Sequence, residues 1–422
     1  MARSLELALW LILAAFTVVI PNAFKFVSAA ALVMLALYYS LSRKDYKLDK
    51  NFILMWIASS VVTVIYLFVG YANGAPEEAY LQIPLIYIVT PILWAIVLHG
   101  ALLRYGIINL VNFLIGCTIL AMASQAFYFW AYAALGPESV EFMAGNPQVD
   151  LSHSSAAAVM YVFGSMIFLY SGILSAPKVI NNKTICYIII LMIFISTFTS
   201  GRSALILSLF IGILVSYVLS SSIRKGVFSS PIINIVLVGA SLLVSSSLLA
   251  KLYGIDIFIS IESLLDKITT MGGAGRGDYA PLLIHGALDN HLIGSGHGIG
   301  VQYVVNDRFP WRYEIVGLAT LYRVGLVGSL IYALPFIVAM VKSVRLWRAN
   351  MLIPQEKYIC GALFASFVAA NTNPYIEAYA FQWMYVLPCL YFISLYRPIV
   401  PTQASARIKL AVRDSVTPPY LR

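Results

Sequence analysis

Four charged residues stand where an apolar chain has little reason to keep charge: Arg202, Arg276, Glu314 and Arg323. Arg202 lies in Thr199-Ser-Gly-Arg-Ser-Ala204, a short polar turn between two apolar runs. Backbone N–H groups, the positive end of the following helix and a guanidinium converge in such a turn, an arrangement suited to a phosphate. An interfacial arginine reaching for lipid head groups would occupy the same place and is the competing reading. Arg276 sits in Gly272-Gly-Ala-Gly-Arg-Gly-Asp-Tyr279, where glycine backbone lets an oxyanion approach and the arginine adds a bidentate fork.

Downstream comes Asn290-His-Leu-Ile-Gly-Ser-Gly-His-Gly-Ile-Gly300. Its glycine spacing fails the dinucleotide fingerprint and no strand precedes it, so it reads as a tight turn or a backbone nest. His291 and His297 fit a structural role there, because no further ligands stand near to complete a metal site. Trp311-Arg-Tyr-Glu314 then leads into the apolar run Ile315 to Gly328. On one helix Glu314 and Arg323 lie about two and a half turns apart and on opposite sides, so they are not an intrahelical pair. Glu314 either compensates a helix dipole or serves as a base, and Arg323 requires an acidic or phosphate partner from elsewhere.

The elements that hold these residues must be membrane helices. The chain of 422 residues is 61% hydrophobic and only 11% charged, with a mean hydropathy of +0.86. Such a composition excludes a cytosolic enzyme, a secreted domain and a nucleic-acid binder. Apolar runs of spanning length give an all-α polytopic membrane protein of about 12 transmembrane helices. Their approximate limits are 4–20, 24–41, 52–71, 81–98, 105–134, 155–174, 184–200, 203–221, 231–250, 315–341, 357–370 and 381–396. The first reads as an uncleaved anchor. With both termini inside, every inner loop carries a cation, as orientation by Lys and Arg requires. Lys25, Arg202, Lys251, Lys267, Arg276, Arg308, Arg312 and Arg323 are then the cations on the outer side, together with most of the acids. The whole chain is one integral membrane domain, within which residues 251–314 form a single large outer loop. A smaller acidic outer loop covers about residues 135–153. The four cysteines sit apart in apolar runs and suggest neither disulfides nor zinc. No internal repeat speaks for an inverted-repeat transporter.

Taken together, Ser-Gly-Arg-Ser-Ala before a helix, an outer loop containing Arg276 and His-Leu-Ile-Gly-Ser-Gly, and a helix continuing Arg-Val-Gly-Leu-Val-Gly resemble the O-antigen polymerase (Wzy) and O-antigen ligase superfamily. The likeness covers about residues 195–330. It implies a GT-C-like, metal-independent, inverting glycosyltransferase without cofactors. The substrates implied are undecaprenyl-pyrophosphate-linked glycans at the outer, periplasmic face of a bacterial inner membrane, with membrane lipid and a chain-length regulator as partners. The family's two pyrophosphate-contacting arginines map onto Arg202 and Arg276. Before Gly325-Leu-Val-Gly328, where ligases of the family carry a histidine, this chain has Glu314. That departure favours a polymerase over a ligase and makes Glu314 the expected general base beside Arg276 and Arg202. Arg312, Tyr313, Arg323 and His297 are the expected substrate contacts, with Trp311, Tyr375 and Tyr379 as candidate sugar platforms that an aromatic belt explains equally well. A glycan-lipid flippase is the reading from another class, disfavoured because the central runs are almost free of charge.

Overall fold

The computed structural model describes residues 2–21, 23–42, 48–144, 160–200, 202–219, 276–305 and 309–396. The expected span at 231–250, the glycines at 272–275, residues 145–153 of the acidic loop, Arg308 and the basic tail beyond Tyr396 lie outside them. So do Arg43, Lys44, Lys47, Arg224 and Lys225, expected on the inner side, and Lys251 and Lys267, expected on the outer side.

Among the described residues every regular element is helical. In chain order they are α1 (Ala2–Ala14), α2 (Lys25–Ser42), α3 (Lys50–Ala72), α4 (Glu77–Pro84), α5 (Thr90–Leu135), α6 (Met160–Ser175), α7 (Lys183–Thr199), α8 (Ser203–Leu219), α9 (Arg276–Asp289), α10 (Val316–Arg348), α11 (Pro354–Ala369) and α12 (Trp383–Leu390). The starts are set locally. The Asp49 carboxylate accepts from the N–H groups of Asn51 and Phe52 at the head of α3. Asn182 accepts from the Ile185 N–H ahead of α7, and Pro354 opens α11 where no backbone donor is needed.

Three of these helical stretches are long and apolar enough to cross a membrane: Lys50–Ala72, Glu77–Leu135 and Val316–Arg348. Much of their apolar surface is not covered by protein; Phe68, Leu81, Ile119 and Val327 point outward. An uncovered apolar face of that length fits hydrocarbon and not water. The chain is therefore an α-helical protein with membrane-spanning character. Glu77–Leu135 is too long for one crossing, and Gly106, at φ 72° and ψ 168°, breaks it where the sequence divides two apolar runs.

The innermost helices are α6 and α11, which pack against each other and against α8. Small residues permit this. Gly172 of α6 lies under the ring of Tyr358, Gly361 of α11 against Ser175, and Gly212 of α8 against Ser171. The Ser175 hydroxyl is absorbed by the carbonyls of Ser171, at 2.7 Å, and Gly212, at 3.0 Å. Close backbone approach through small residues is the usual basis of helix association where no water drives it.

One loop shapes the region around the first half of α10. At Gly325, φ 65°, the backbone of α10 leaves the helix, and residues 292–297 take over the exposed groups. Ser295 N–H and Gly296 N–H donate to the carbonyls of Tyr322 and Arg323, and Leu326 N–H donates to Leu292, each at 2.9 Å. On the opposite side His297 N–H reaches the Tyr66 carbonyl at 2.7 Å, and Asn73 Nδ2 the Ser295 carbonyl at 2.8 Å. The glycine-rich segment is thus a plug between the end of α3 and the break in α10. A Cβ on Gly296, whose φ is 99°, would run into the backbone of Val69 and Gly70. Gly296→Ala is expected to cost about 3 kcal/mol of stability through strain and overpacking. Gly116→Ala, in open space on α5, is the control, and thermal unfolding in detergent compares the two.

Candidate functional site

Three segments from distant parts of the chain meet at the N-terminal end of α10. Arg276 begins α9, Glu314 lies in the turn that enters α10, and Thr372 follows the last turn of α11. The Arg276 Nε donates to Glu314 Oε2 at 2.5 Å, and its Nη2 donates to the Thr372 carbonyl at 2.7 Å. Nη2 also pairs with the same Glu314 oxygen. The arginine side chain is 13% exposed and the glutamate 38%, so the pair stands at an opening.

Arg202 approaches from the α7–α8 turn. Its N–H donates to the Ser200 hydroxyl at 3.2 Å, and its carbonyl accepts from Leu205 and Ile206 at the start of α8. The guanidinium is differently placed from that of Arg276. Its Nε and Nη2 are buried and have no hydrogen-bond partner. The charges and dipoles that act on it are Tyr375, Glu314, Arg276 and Tyr128, and burial pulls its pKa down from the ordinary arginine value. Arg202, Arg276 and Glu314 therefore share one electrostatic environment.

Tyrosines surround it. The Tyr128 hydroxyl of α5 and the Tyr279 hydroxyl of α9 are buried without hydrogen-bond partners. Burial pushes Tyr279 up to about 12, although Arg276 and the Glu314 backbone lie near enough to oppose that shift. Tyr375, also buried, is pushed up to about 12 by burial against the opposing pull of Arg202. Each stays a neutral O–H donor at physiological pH. A buried guanidinium, a second one held by a carboxylate and phenolic donors form an assembly that favours an anion with several oxygens. Among the described residues no cluster of three His, Cys, Asp or Glu side chains is placed to hold a metal ion.

Of the other residues selected from sequence, Arg323, His297 and Arg312 have partners of their own, while Tyr313 borders the site through Tyr279, the ring centroids 5.2 Å apart. Arg323 is 1% exposed, donating from Nη2 to Glu377 Oε1 at 2.7 Å and from Nε to the Ala319 carbonyl at 3.0 Å. The acidic partner that Arg323 required is thus Glu377, which also accepts from Tyr87 Oη at 2.5 Å. Burial would raise the Glu377 carboxyl, but Arg323 and Tyr87 outweigh it and hold the group below its usual range. His297 is buried beside this pair, its Nε2 2.9 Å from the Tyr332 hydroxyl and its ring against Tyr87. Burial first, then the Arg323 charge, keeps His297 well below its ordinary pKa and hence neutral. Tyr313 is turned inward, accepting from Val301 N–H at 2.7 Å, and Trp311 packs with Ala79 and Ile83. Arg312 covers the Phe309 ring and donates to Gln82 at 3.0 Å.

Glu377, Tyr87, Tyr128 and Tyr279 escape a reading of the sequence. An acid inside an aromatic segment, as in Tyr375-Ile-Glu377, is the one local signal that could have exposed Glu377. The tyrosines are hidden among 27 of their kind.

Next to the turn carrying Tyr375 and Glu377, an apolar cavity of about 190 Å³ runs between α3, the α4–α5 junction, α10 and α12. Val316, Thr320 and Ile376 line one part of it, and Trp56, Phe336 and Cys389 another. Searches of protein-family models, curated proteins and solved structures find no match to this chain.

Proposed function

We propose that this chain is a polysaccharide polymerase, which transfers a growing glycan from undecaprenyl pyrophosphate to the next lipid-linked repeat unit at the outer face of a bacterial inner membrane. The observation that carries the reading is Arg202, whose buried Nε and Nη2 have no hydrogen-bond partner and whose charge is felt together with those of Arg276 and Glu314. A buried charge without a partner is costly, and a diphosphate would satisfy it. About 12 spans, a GT-C-like arrangement and cytoplasmic termini belong to the same proposal.

In the reaction the bond from the donor's anomeric carbon to the pyrophosphate oxygen breaks while an acceptor hydroxyl oxygen bonds that carbon from the opposite face. The hydroxyl proton passes to the Glu314 carboxylate, and the electron pair of the broken bond leaves with the pyrophosphate. Arg202 and Arg276 oppose the charge that develops on that leaving group, and Tyr279 and Tyr375 stand near enough to add O–H donors. Three or four fixed donors in a site shielded from water do the work that reorganising water would otherwise do slowly. The apolar cavity offers room for a segment of the polyprenyl chain beneath the polar site.

The test is a reconstitution. Purified protein in lipid vesicles receives one lipid-linked repeat unit as its only substrate. A ladder of lengthened glycans with inverted anomeric configuration by NMR is the expected product. Transfer only after a second, lipid-core acceptor is added would make the enzyme a ligase. Movement of the unit across the bilayer with no new glycosidic bond would end the transferase reading.

A further inference from the structure

We infer that the Arg276–Glu314 ion pair is a latch opened by the donor, so that binding of the pyrophosphate releases the base and must precede binding of the acceptor sugar. The inference rests on the transferase reading and adds an order of events to it.

The two arginines are not equivalent. Arg276 is occupied, with Nε and Nη2 directed at Glu314 Oε2 and Nη2 also at the Thr372 carbonyl. Arg202 is vacant at both Nε and Nη2. Arg202 Nε and Nη2 have no partner to give up to a phosphate, whereas Arg276 has Glu314 to give up. Charge decides the next step. Without ligand the cluster holds two guanidinium groups and one carboxylate, a net charge of about +1 near neutral pH. A lipid-linked pyrophosphate diester brings two negative charges, which two arginines match only if Glu314 leaves Arg276. Staying would press the carboxylate against a phosphate at a partly desolvated position, where like charges repel strongly.

The geometry allows the exchange. Glu314, 38% exposed, lies in the turn before α10 and not within a helix, and the only hydrogen bond its carboxylate accepts in the described structure is that from Arg276. Arg276 is fixed on its far side by the Thr372 carbonyl. The carboxylate is therefore the partner that moves. A carboxylate released from Arg276 has Oε2 free for the acceptor hydroxyl, which is what a general base needs. While latched, Glu314 Oε2 is taken up by Arg276 and is not free to receive the acceptor's proton.

The test measures binding of an undecaprenyl-pyrophosphate-linked repeat unit with its acceptor hydroxyl blocked to the full-length protein in detergent, comparing wild type with Glu314→Gln, Arg202→Ala and Arg276→Ala. Removing the internal competitor is expected to tighten binding about fivefold in Glu314→Gln, the scale of a half-exposed ion pair, while both arginine variants weaken it tenfold or more. Unchanged or weaker binding by Glu314→Gln alongside weakened arginine variants overturns the latch and leaves the anion site standing. Unchanged affinity in both arginine variants overturns the transferase reading itself. Initial-rate kinetics on the wild-type enzyme provide a second readout that needs no variant to fold. With a lipid-linked donor whose own acceptor hydroxyl is blocked and a separate acceptor oligosaccharide that carries no pyrophosphate, an acceptor analogue lacking its hydroxyl should inhibit uncompetitively against the donor, as a compulsory donor-first order requires. Noncompetitive inhibition overturns it.

Discussion

Glu377→Ala is expected to leave almost no folded, monodisperse protein, a loss of stability larger than that of Gly296→Ala. The carboxylate is 5% exposed and its partner Arg323 1% exposed, at 2.7 Å from each other. Truncating one member of a buried pair strands the other charge in a low-dielectric interior, which costs about 3–5 kcal/mol. A typical domain has only about 5–15 kcal/mol to lose. The Tyr87 hydroxyl, which donates to the same oxygen, loses its acceptor at the same time. Glu377→Gln keeps an acceptor and the shape, and should retain more protein than alanine does. The double replacement Arg323→Met with Glu377→Leu should recover much of what either single change loses, because no uncompensated charge remains. Fluorescence-detected size-exclusion after heating ranks the four proteins. Equal melting of Glu377→Ala and wild type would show that the pair contributes nothing to the fold.

That pair also shows which parts of the molecule were legible from residues alone. The helical class and most helix positions follow from apolar runs, because a run long enough to cross hydrocarbon has few other ways to satisfy its backbone. The sequence also required that Arg323 find an acid, but it could not choose Glu377, separated by 54 positions. Likewise Arg276 and Glu314 could be selected separately, while their ion pair across 38 positions could not. The break at Gly325 is hidden for a related reason. Its glycine looks like a small packing residue in an apolar helix, and only the arrival of residues 292–297 at its carbonyls makes the break tolerable in hydrogen bonds. Aromatic residues are the weakest signal. Trp311 and Tyr313 lie beside charged residues and suggest sugar platforms, yet both are about 1% exposed and packed on protein, whereas Tyr128 sits in an ordinary apolar run and reaches the surroundings of Arg202.

The largest effect on activity is expected at Arg202. Its Nε and Nη2 make no hydrogen bond in the described structure, so Arg202→Ala breaks none at those atoms, and folding and membrane insertion should survive. Activity should fall by about 10²–10³, the loss seen when one donor to a developing oxyanion is removed. Arg202→Lys keeps the charge but loses the fork, and should recover only a small part, since an ammonium cannot engage a diphosphate through two parallel donors. Arg276→Ala is expected to reach a similar loss in the same reconstituted extension assay, with one difference in cause. It also frees Glu314 from its counter-ion and removes the tether to Thr372. If both arginines hold one leaving group, the double variant will be far less impaired than the product of the two single losses, because groups that act as a unit are not additive. A double variant whose loss equals that product would place the two side chains on separate tasks. Single variants that retain full extension activity would remove both from the reaction.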